Sequence, residues 1–279
     1  MKKILALLLA ALMVGSVMTG CTKQETASGE ESAQTQQTES EAKEEPVEEE
    51  TQASFTGAYI ADPEYIKSKI GSEDVIFIDA RGADAAKKGT IEGAIATAWQ
   101  PLARCAEGAS GDEMWGTILP LDQLSEVLSS MGITPDKEII LFSDGKDGWG
   151  DDGRIAWELL AVGFENVKIA DRGFSALKEA GVPTQKGAAE FTPAEVTVSE
   201  LDETHLINTD ALVETYDSVK VVDVRADEEY NGEVLYGEKA GGHLPGAIHI
   251  RFTDLFNDDN VLKSNEEITA MFEEAGLSK

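Results

Sequence analysis

The sequence is poor in cysteine, histidine and basic side chains. Its 279 residues include two Cys, three His, and 23 Lys and Arg against 53 Asp and Glu. Because the His and Cys residues are spread along the chain, no spacing typical of metal ligands occurs. The formal net charge of −30 argues against nucleic acids and anionic lipid surfaces as partners.

The first twenty residues have the order of a secretory signal peptide. Lys residues come first, an apolar run extends from Ile4 to about Met18, and small residues follow. The run is too short for a comfortable transmembrane helix. Its end, Met18-Thr19-Gly20-Cys21, resembles a bacterial lipobox, in which the Cys thiol takes a diacylglycerol. We expect Cys21 to be lipidated and the protein to be exported and anchored to the outer face of the cell membrane; an ordinary cleavage site is the alternative.

Residues 21–54 have no apolar periodicity. They contain ten acidic side chains against two Lys, so the segment cannot bury enough surface to offset its chain entropy. We interpret it as a disordered, self-repelling tether. The signal peptide carries +2 and the tether −8, which leaves −24 on residues 55–279. Any anion site must therefore be built locally, from backbone N–H groups and a few Arg.

Two stretches of the chain repeat. Residues 75–81 (VIFIDAR) match residues 219–225 (VKVVDVR) at an offset of 144, and both end in Asp-x-Arg. The Gly/Pro turn at 242–248 (GHLPGAI) matches residues 89–95 at an offset of 153, so about nine extra residues separate strand from turn the second time. The offset returns to 144 in the helical pattern that follows. The chain therefore holds two related domains.

Strand-Asp-x-Arg followed by Gly-His-x-Pro-Gly-Ala-Ile resembles the rhodanese domain, and two in tandem resemble the thiosulfate and mercaptopyruvate sulfurtransferases. The resemblance extends from about Phe55 to Lys279. It implies an α/β fold with two rhodanese-like domains, each a mainly parallel five-stranded sheet flanked by helices. We place the first copy at residues 55–186 and the second copy at residues 187–279, and expect residues 185–202 to be the linker.

Apolar periodicity predicts the individual elements. Helices are predicted over residues 63–70, 121–131, 155–162 and 266–275, and within residues 205–216 after a cap at Asn208 or Thr209. Buried strands are predicted at Val75 and over residues 138–143, 219–224 and 247–250.

A Gly-rich loop, Asp144 to Arg154, follows the predicted strand at 138–143. Such a loop can turn several N–H groups inward as an anion nest. In rhodanese domains it carries the catalytic Cys, whose thiol pKa the nest lowers. Asp144 stands at that position here, and a carboxylate cannot carry transferable sulfur. We therefore predict a non-catalytic first copy, in which Asp144 is a cap and loop residue and Cys105, in another loop, is a bystander.

The resemblance assigns roles to two residues after the second copy's strand. Asp223 would support the active-site loop by hydrogen bonds, and Arg225 would line or buttress the anion pocket. A structural salt bridge at a strand end is the alternative. His243 is expected to lock its turn rather than to shuttle protons. Further candidate pocket or support residues are Asp79, Arg81 and Arg154.

The end of the chain bears on activity. Asp144 comes twelve residues after Gly132, so the offset of 144 places the second copy's catalytic residue near position 288, beyond Lys279. We expect the chain to be a fragment of a longer protein whose catalytic Cys lies in the missing part; a genuine end would leave a non-catalytic module. We also expect an exposed sheet edge in the second copy, and a substrate pocket at its loop end that faces the first copy.

Three functional hypotheses follow. As an enzyme, the complete protein would take sulfane sulfur from thiosulfate or mercaptopyruvate on a Cys thiolate and pass it to cyanide or a thiol. As a binding or scaffolding lipoprotein, it would use the anion-cradle geometry without chemistry. A substrate-binding lipoprotein of a transporter is disfavoured by the paired repeats. Expected partners are a small sulfur-containing anion or thiol and, through Cys21, the membrane. We expect a monomer without metal or organic cofactor and without nucleic acid.

Overall fold

The computed structural model describes residues 55–105 and 109–278. The predicted signal peptide at 1–20, the tether at 21–54 and the lipidation site at Cys21 therefore lie outside the described residues. The described residues belong to one compact unit. Among them, we find no helix that combines the length and apolar character needed to cross a membrane.

The first copy is built on a parallel sheet of five strands. In chain order, the strands of the first copy, inside and outside this sheet, are β1 (Ile60–Ala61), β2 (Val75–Asp79), β3 (Thr90–Ile91), β4 (Ile95–Ala96), β5 (Glu138–Phe142), β6 (Val167–Ala170) and β7 (Thr184–Gln185). The sheet order is β1-β6-β5-β2-β4 with all pairs parallel, while β3 and β7 form a separate antiparallel pair. β5 is central and nearly continuously apolar because helices cover both faces. The predicted mainly parallel sheet is confirmed.

Five helices flank this sheet: α1 (Pro63–Lys69), α2 (Ala83–Ala86), α3 (Leu121–Met131), α4 (Asp151–Ala161) and α5 (Phe174–Glu179). The α1 helix begins where Asp62 Oδ1 accepts a hydrogen bond from the Tyr65 N–H at 2.7 Å. The α3 helix spans its predicted residues and ends at Gly132, which has a φ of 69°. The α4 helix begins four residues earlier than predicted, because acidic side chains in its first turn complement the helix dipole.

Apolar side chains pack on both faces of the sheet because successive residues of β5 point to opposite sides. On one face, Ile139 and Leu141 contact a fully buried set from α3 and α4 that includes Leu124, Leu128, Ile155 and Leu159. On the other face, Ile140 and Phe142 join a second cluster around α1 and α5, with Ile66, Phe77 and Leu177. The first copy thus has a complete two-sided core.

The stretch 185–202, which we expected to be the linker, packs on the first copy. Val196 and Val198 are 5% and 8% exposed and belong to the cluster around α3. Their N–H groups donate to the hydroxyls of Ser129 and Ser125 at 3.0 Å each. Much of the segment is therefore held against α3, and the domain boundary near residue 187 stays a prediction.

The second copy has fewer elements: α6 (Thr209–Thr215), β8 (Val222–Asp223), α7 (Asp227–Tyr230), β9 (Ile248–His249) and α8 (Asn265–Glu274). The α6 helix is capped by Asn208, one of the two predicted caps. The α8 helix begins at a capping box, in which Ser264 and Glu267 satisfy each other's backbone N–H groups.

The pairing of β8 with β9 reproduces the pairing of β2 with β4. Ile78 lies opposite Ile95 in the first copy, and Val222 lies opposite Ile248 in the second. These partners are related by the offsets of the sequence repeat. Within residues 55–105 and 109–278, however, β8 pairs with no third strand. The strand predicted over 219–224 is therefore only two residues long and half-buried, since no counterpart of β5 covers its other edge.

Candidate functional site

An Asp-x-Arg pair forms a corner at the end of β2. Arg81 donates from Nε to Asp79 Oδ1 at 2.9 Å and from Nη2 to Asp79 Oδ2 at 2.7 Å. Its Nη2 also donates to the carbonyl of Gly89 at 2.7 Å, which ties the strand end to the following turn. We call Asp79, Arg81 and Gly89 the first corner. A bidentate pair of this kind fixes the guanidinium in orientation as well as in place.

The second copy repeats this geometry at the end of β8. Arg225 donates from Nε and Nη2 to the two Asp223 carboxylate oxygens at 2.9 and 2.6 Å, and from Nη2 to the Gly242 carbonyl at 2.8 Å. We call Asp223, Arg225 and Gly242 the second corner. The hydrogen bond from Arg225 lowers the pKa of Asp223, so this carboxylate stays ionised.

The two corners differ in what surrounds the Arg. The Arg81 side chain is 11% exposed, its Nη1 lies 3.5 Å from Asp144 Oδ1, and its guanidinium carbon lies 3.9 Å from the Phe174 ring centroid. The Arg225 side chain is 38% exposed. Among the residues that the structure describes, no protein atom accepts a hydrogen bond from Arg225 Nη1. Arg225 therefore keeps Nη1 for a ligand, whereas all three guanidinium nitrogens of Arg81 face protein oxygens.

Asp144 lies directly after β5, before a 3₁₀ turn at Gly145–Asp147. The prediction of a cap and loop residue is right about the loop, but its carboxylate makes no capping hydrogen bond and faces Arg81 instead. We call residues 144–148 the cradle loop. Its N–H groups at Lys146, Asp147 and Gly148 already donate to protein oxygens. These three N–H groups of the cradle loop are therefore already used inside the protein.

A cavity of about 900 Å³ lies between the two copies, and Arg225 is on its wall. The first copy contributes Trp115, the end of the cradle loop and Trp149; the second contributes mostly apolar side chains. Those from the second copy include Val224, Ala226, Tyr236 and Phe252. Glu229 also lines the wall. The free Nη1 of Arg225 in a mainly apolar cavity can bind a small anion with an apolar or sulfur-containing body, although the Asp147 and Glu229 carboxylates share the wall.

The insertion of about nine residues in the second copy supplies one wall of this cavity. Trp149 is 76% exposed and meets Tyr236, from the insertion, edge to face at 5.5 Å. The insertion also approaches the first copy so closely at Gly111 that an added Cβ would lie 1.9 Å from the Gly237 carbonyl oxygen. Sequence reasoning missed Tyr236 and Trp149, although the changed offset between the repeats was a signal for the first.

His243 lies in an aromatic stack beside the second corner. Its ring lies 3.7 Å from that of Tyr230, and His249 covers the opposite face of Tyr230 at 4.1 Å. His243 Nδ1 donates to the Tyr230 carbonyl at 2.8 Å, and His249 Nε2 donates to the Arg225 carbonyl at 2.9 Å. His243 thus joins its turn to α7, and its turn-locking role stays a prediction.

Arg154 lies away from the cavity, within the first copy. Its guanidinium packs between Trp99 and Trp157, donates to the Gly116 carbonyl and pairs with Glu158 at 2.9 Å. Burial raises the pKa of Glu158 to about 7, although Arg154 opposes this. Arg154 was expected to serve a pocket, but its guanidinium is used to pair a buried carboxylate.

Cys105 belongs to the same side of the first copy as Arg154. Burial raises the pKa of its thiol, which disfavours the reactive thiolate. Cys105 does not line the cavity. In the described ranges we also find no cluster of three or more His, Cys, Asp or Glu side chains arranged to hold a metal ion.

Comparison with known proteins gives consistent matches. The model of the Rhodanese-like domain matches residues 62–180 and 208–275. A putative thiosulfate sulfurtransferase of Mycolicibacterium smegmatis is 25% identical over 226 residues, which cover 78% of each chain. The 3-mercaptopyruvate sulfurtransferase of Mus musculus is 26% identical over 223 residues, covering 76% of this chain and 73% of its own.

Solved structures show the same fold. A 3-mercaptopyruvate sulfotransferase of Escherichia coli superposes with a TM-score of 0.63 at 20% identity, over 80% of this chain and 85% of that chain. The Tum1 protein of Saccharomyces cerevisiae gives a TM-score of 0.65 at 16% identity, over 79% of each chain.

Proposed function

Because the chain belongs to the Rhodanese-like domain family, we propose that the complete protein transfers sulfane sulfur from a small anionic donor to a thiophilic acceptor. The observation that carries this proposal is the second corner. Asp223 and the Gly242 carbonyl hold Arg225 rigidly, while its Nη1 is left to bind a ligand in the cavity. The sulfurtransferase names of the relatives support this choice of chemistry.

In this proposal Arg225 binds the oxyanion end of the donor. A guanidinium keeps its charge at all physiological pH values and offers several N–H groups, so it suits a sulfonate-like or carboxylate group. The apolar cavity wall then accommodates the sulfur-bearing end. Asp223 and His249 act as positioning residues, because Asp223 orients the guanidinium and His249 holds the Arg225 carbonyl.

Glu229 favours one donor over the other. It lies on the cavity wall in the Glu228-Glu229-Tyr230 stretch, where thiosulfate-type enzymes often carry a second Arg. A nearby carboxylate repels a dianion more strongly than a monoanion. We therefore propose mercaptopyruvate rather than thiosulfate as the better donor.

The sulfur carrier in this proposal is a Cys thiolate at the position that matches Asp144, near residue 288. It would attack the outer sulfur of thiosulfate, whose S–S bond breaks to release sulfite, or the thiol sulfur of mercaptopyruvate, whose C–S bond breaks to release the pyruvate enolate, which then takes up a proton. An acceptor thiolate or cyanide would then take the outer sulfur of the persulfide and restore the thiolate. Reading the gene beyond the codon for Lys279 tests this: we expect a Cys codon near 288, and an immediate stop codon would contradict it.

A second candidate function is anion binding without transfer, in a scaffolding lipoprotein. It is favoured by the placement of the thiols, because Asp144 occupies the Cys position of the first copy and Cys105 is not on the cavity wall. This function keeps the role of Arg225 and dispenses with the persulfide.

Isothermal titration of the protein with mercaptopyruvate and with thiosulfate tests the shared anion site. We expect Arg225→Ala to weaken binding at least tenfold. Arg251→Ala is the matched control, since that side chain is 41% exposed, pairs with Asp227 and Asp254, and is not on the cavity wall. Equal affinities for wild type and Arg225→Ala would refute the site. Formation of thiocyanate from added cyanide then shows whether the protein transfers sulfur or only binds the donor.

We further propose that Cys21 carries the lipid that anchors the protein to the outer face of the cell membrane, and that the protein is a monomer. The lipobox-like order of residues 18–21 supports the first point. Mass spectrometry should show an added diacylglycerol on the wild type and none on Cys21→Ala, which should become soluble. An unchanged mass and unchanged membrane association in that variant would refute the anchor, and light scattering measures the oligomeric state.

A further inference from the structure

A turn of the second copy enters the cradle loop of the first copy. We call residues 257–261 the Asn260 turn. The turn is closed by two hydrogen bonds, from the N–H of Asn257 to the Val261 carbonyl at 2.8 Å and from the N–H of Val261 to Asn257 Oδ1 at 3.0 Å. Asn260 has a φ of 60° and is the only non-glycine residue with a positive φ among those described. Asn tolerates this conformation better than most residues.

The Asn260 side chain forms hydrogen bonds with polar groups of the cradle loop. Its Oδ1 accepts from the Lys146 N–H at 2.8 Å, and its Nδ2 donates to the Asp144 carbonyl at 2.7 Å and to Asp147 Oδ2 at 3.2 Å. Lys146 also binds the Asn260 turn through its side chain, since its Nζ donates to the carbonyls of Asn257 and Asp258 at 2.7 Å each. Asn260 is 8% exposed, so the hydrogen bonds of its amide are shielded from water.

Two glycines make room for the amide. A Cβ on Gly145 would lie 2.3 Å from Asn260 Oδ1, and a Cβ on Gly173 would lie 2.5 Å from Asn260 Nδ2. The N–H of Gly173 also donates to the Asn260 backbone carbonyl at 3.2 Å. The loop that would cradle an anion in a catalytic copy is therefore shaped around one amide of the other copy.

The same contacts fix both sides of the cavity. Asp147 and Gly148 belong to the cradle loop, and Phe252 and Thr253 belong to a 3₁₀ turn just before the Asn260 turn; all four line the cavity wall. We propose that Asn260 is a positioning residue that locks the degenerate cradle loop of the first copy to the second copy and thereby sets the geometry of the Arg225 cavity. The first copy then serves as a docking site for the second rather than as a vestigial anion site.

Asn260→Gly tests this lock, because Gly keeps the positive φ and removes only the amide. Hydrogen exchange resolved by residue should show the Lys146 N–H, which loses its acceptor, exchanging at least tenfold faster. The Gly173 N–H keeps a backbone acceptor and should change less. Asn231→Ala is the matched control, since Asn231 makes one side-chain bond to the Asp227 carbonyl within the second copy. Unchanged exchange at Lys146 in Asn260→Gly overturns the proposal.

The Trp149–Tyr236 contact reports on the cavity without any ligand. The nuclear Overhauser contacts between these rings should weaken or disappear in Asn260→Gly and persist in Asn231→Ala; their persistence in both variants would refute the claim about cavity geometry. Asn260→Asp keeps an acceptor for the Lys146 N–H but loses the donor to the Asp144 carbonyl. It should therefore leave Lys146 protected and still disturb the rings, and loss of Lys146 protection in this variant would contradict the assigned contact.

Ligand binding is a separate arm, which rests on the proposed function. If mercaptopyruvate binds the wild type, Asn260→Gly should weaken its binding about fivefold or more, and an unchanged affinity would show that the lock does not shape the site. If neither mercaptopyruvate nor thiosulfate binds the wild type, the proposed anion site fails, and the exchange and ring-contact results alone decide the role of Asn260.

Discussion

The first and second corners have the same internal geometry in very different surroundings. In each, an Arg makes a two-point bond to the Asp two residues before it and a third bond to a Gly carbonyl. The Asp79 and Arg81 side chains are 0% and 11% exposed, whereas the Asp223 and Arg225 side chains are 9% and 38% exposed. The bonds within a corner are therefore set by nearby residues, whereas its burial depends on strands far away in the sequence.

This difference separates a structural corner from a binding corner. The first corner is closed by Asp144 and Phe174, and its Arg acts as a buried ion-pair partner. The second corner opens onto the cavity between the copies. The same three residues can thus hold a fold together or present a donor, according to what covers them.

The largest expected effect comes from breaking the buried corner. Arg81→Met leaves the Asp79 carboxylate buried without its partner, which should cost about 3–5 kcal/mol of unfolding free energy. Arg225→Met should cost less, about 1–2 kcal/mol, because water reaches the Arg225 end of that pair, although Asp223 is only 9% exposed. Urea unfolding of both variants measures the two values. Similar losses would show that the corners do not differ energetically.

A second comparison concerns the cores behind the corners. Leu128 in α3 is fully buried, whereas its counterpart Phe272 in α8 is half-buried and lines an open groove of about 500 Å³. Leu128→Ala should therefore destabilise the protein by about 3 kcal/mol. Although Phe is larger, Phe272→Ala should cost less, about 1 kcal/mol, because much of the ring already contacts water. If Phe272→Ala lost more unfolding free energy than Leu128→Ala in urea, α8 would be better packed than the structure shows.

A third prediction concerns a buried carboxyl that only the first copy has. Because the Glu158 pKa is raised to about 7, the folded protein holds this proton between about pH 4.5 and 7, while the unfolded chain has lost it. The stabilising contribution is therefore complete below pH 4.5 and is lost as the pH rises through 7. At about 1.4 kcal/mol per pKa unit, the part of this loss that falls between pH 5 and pH 8 is on the order of 2–3 kcal/mol.

Glu158→Gln removes this titration. Relative to the wild type, the variant should gain that amount of unfolding free energy between pH 5 and pH 8. Glu266→Gln, on the exposed side of α8, is the control. A pH-independent difference between Glu158→Gln and the wild type would show that Glu158 is ionised throughout this range.

The smallest expected effect is at Cys105. Its thiol is half-buried in the first copy and its raised pKa disfavours the thiolate, so Cys105→Ser should leave mercaptopyruvate binding unchanged. Any sulfur transfer by the complete protein should survive as well. A complete loss of transfer in this variant would move the chemistry from the second copy to the first.

Sequence patterns predicted the elements whose causes are local. The α3 helix, the capping of α6 by Asn208 and the strand β5 follow from apolar periodicity, capping side chains and a continuous apolar run. The repeat offsets also relate the residues that pair in β8 and β9 to those that pair in β2 and β4. The Asp–Arg pair of each corner forms at one strand end and was indicated by its Asp-x-Arg motif, whereas the Gly partners, 8 and 17 residues from the Arg, were not predicted.

What depends on distant packing was not predicted. The short β8, the packing of Val196 and Val198 on α3, and the filling of the cradle loop by Asn260 all require contacts between segments far apart in the sequence. The surroundings of Arg154 were not predicted for the same reason, since its Glu158 partner and its two Trp neighbours converge only in the folded chain.

The stack of His243, Tyr230 and His249 has a spectroscopic consequence. A backbone carbonyl can only accept, so the contact to the Tyr230 carbonyl places the proton of neutral His243 on Nδ1, and the contact to the Arg225 carbonyl places that of neutral His249 on Nε2. The two rings on either side of one tyrosine are thus opposite tautomers. Nitrogen-15 shifts distinguish these forms, so the pair is an internal label that reports whether the second copy is folded around Arg225.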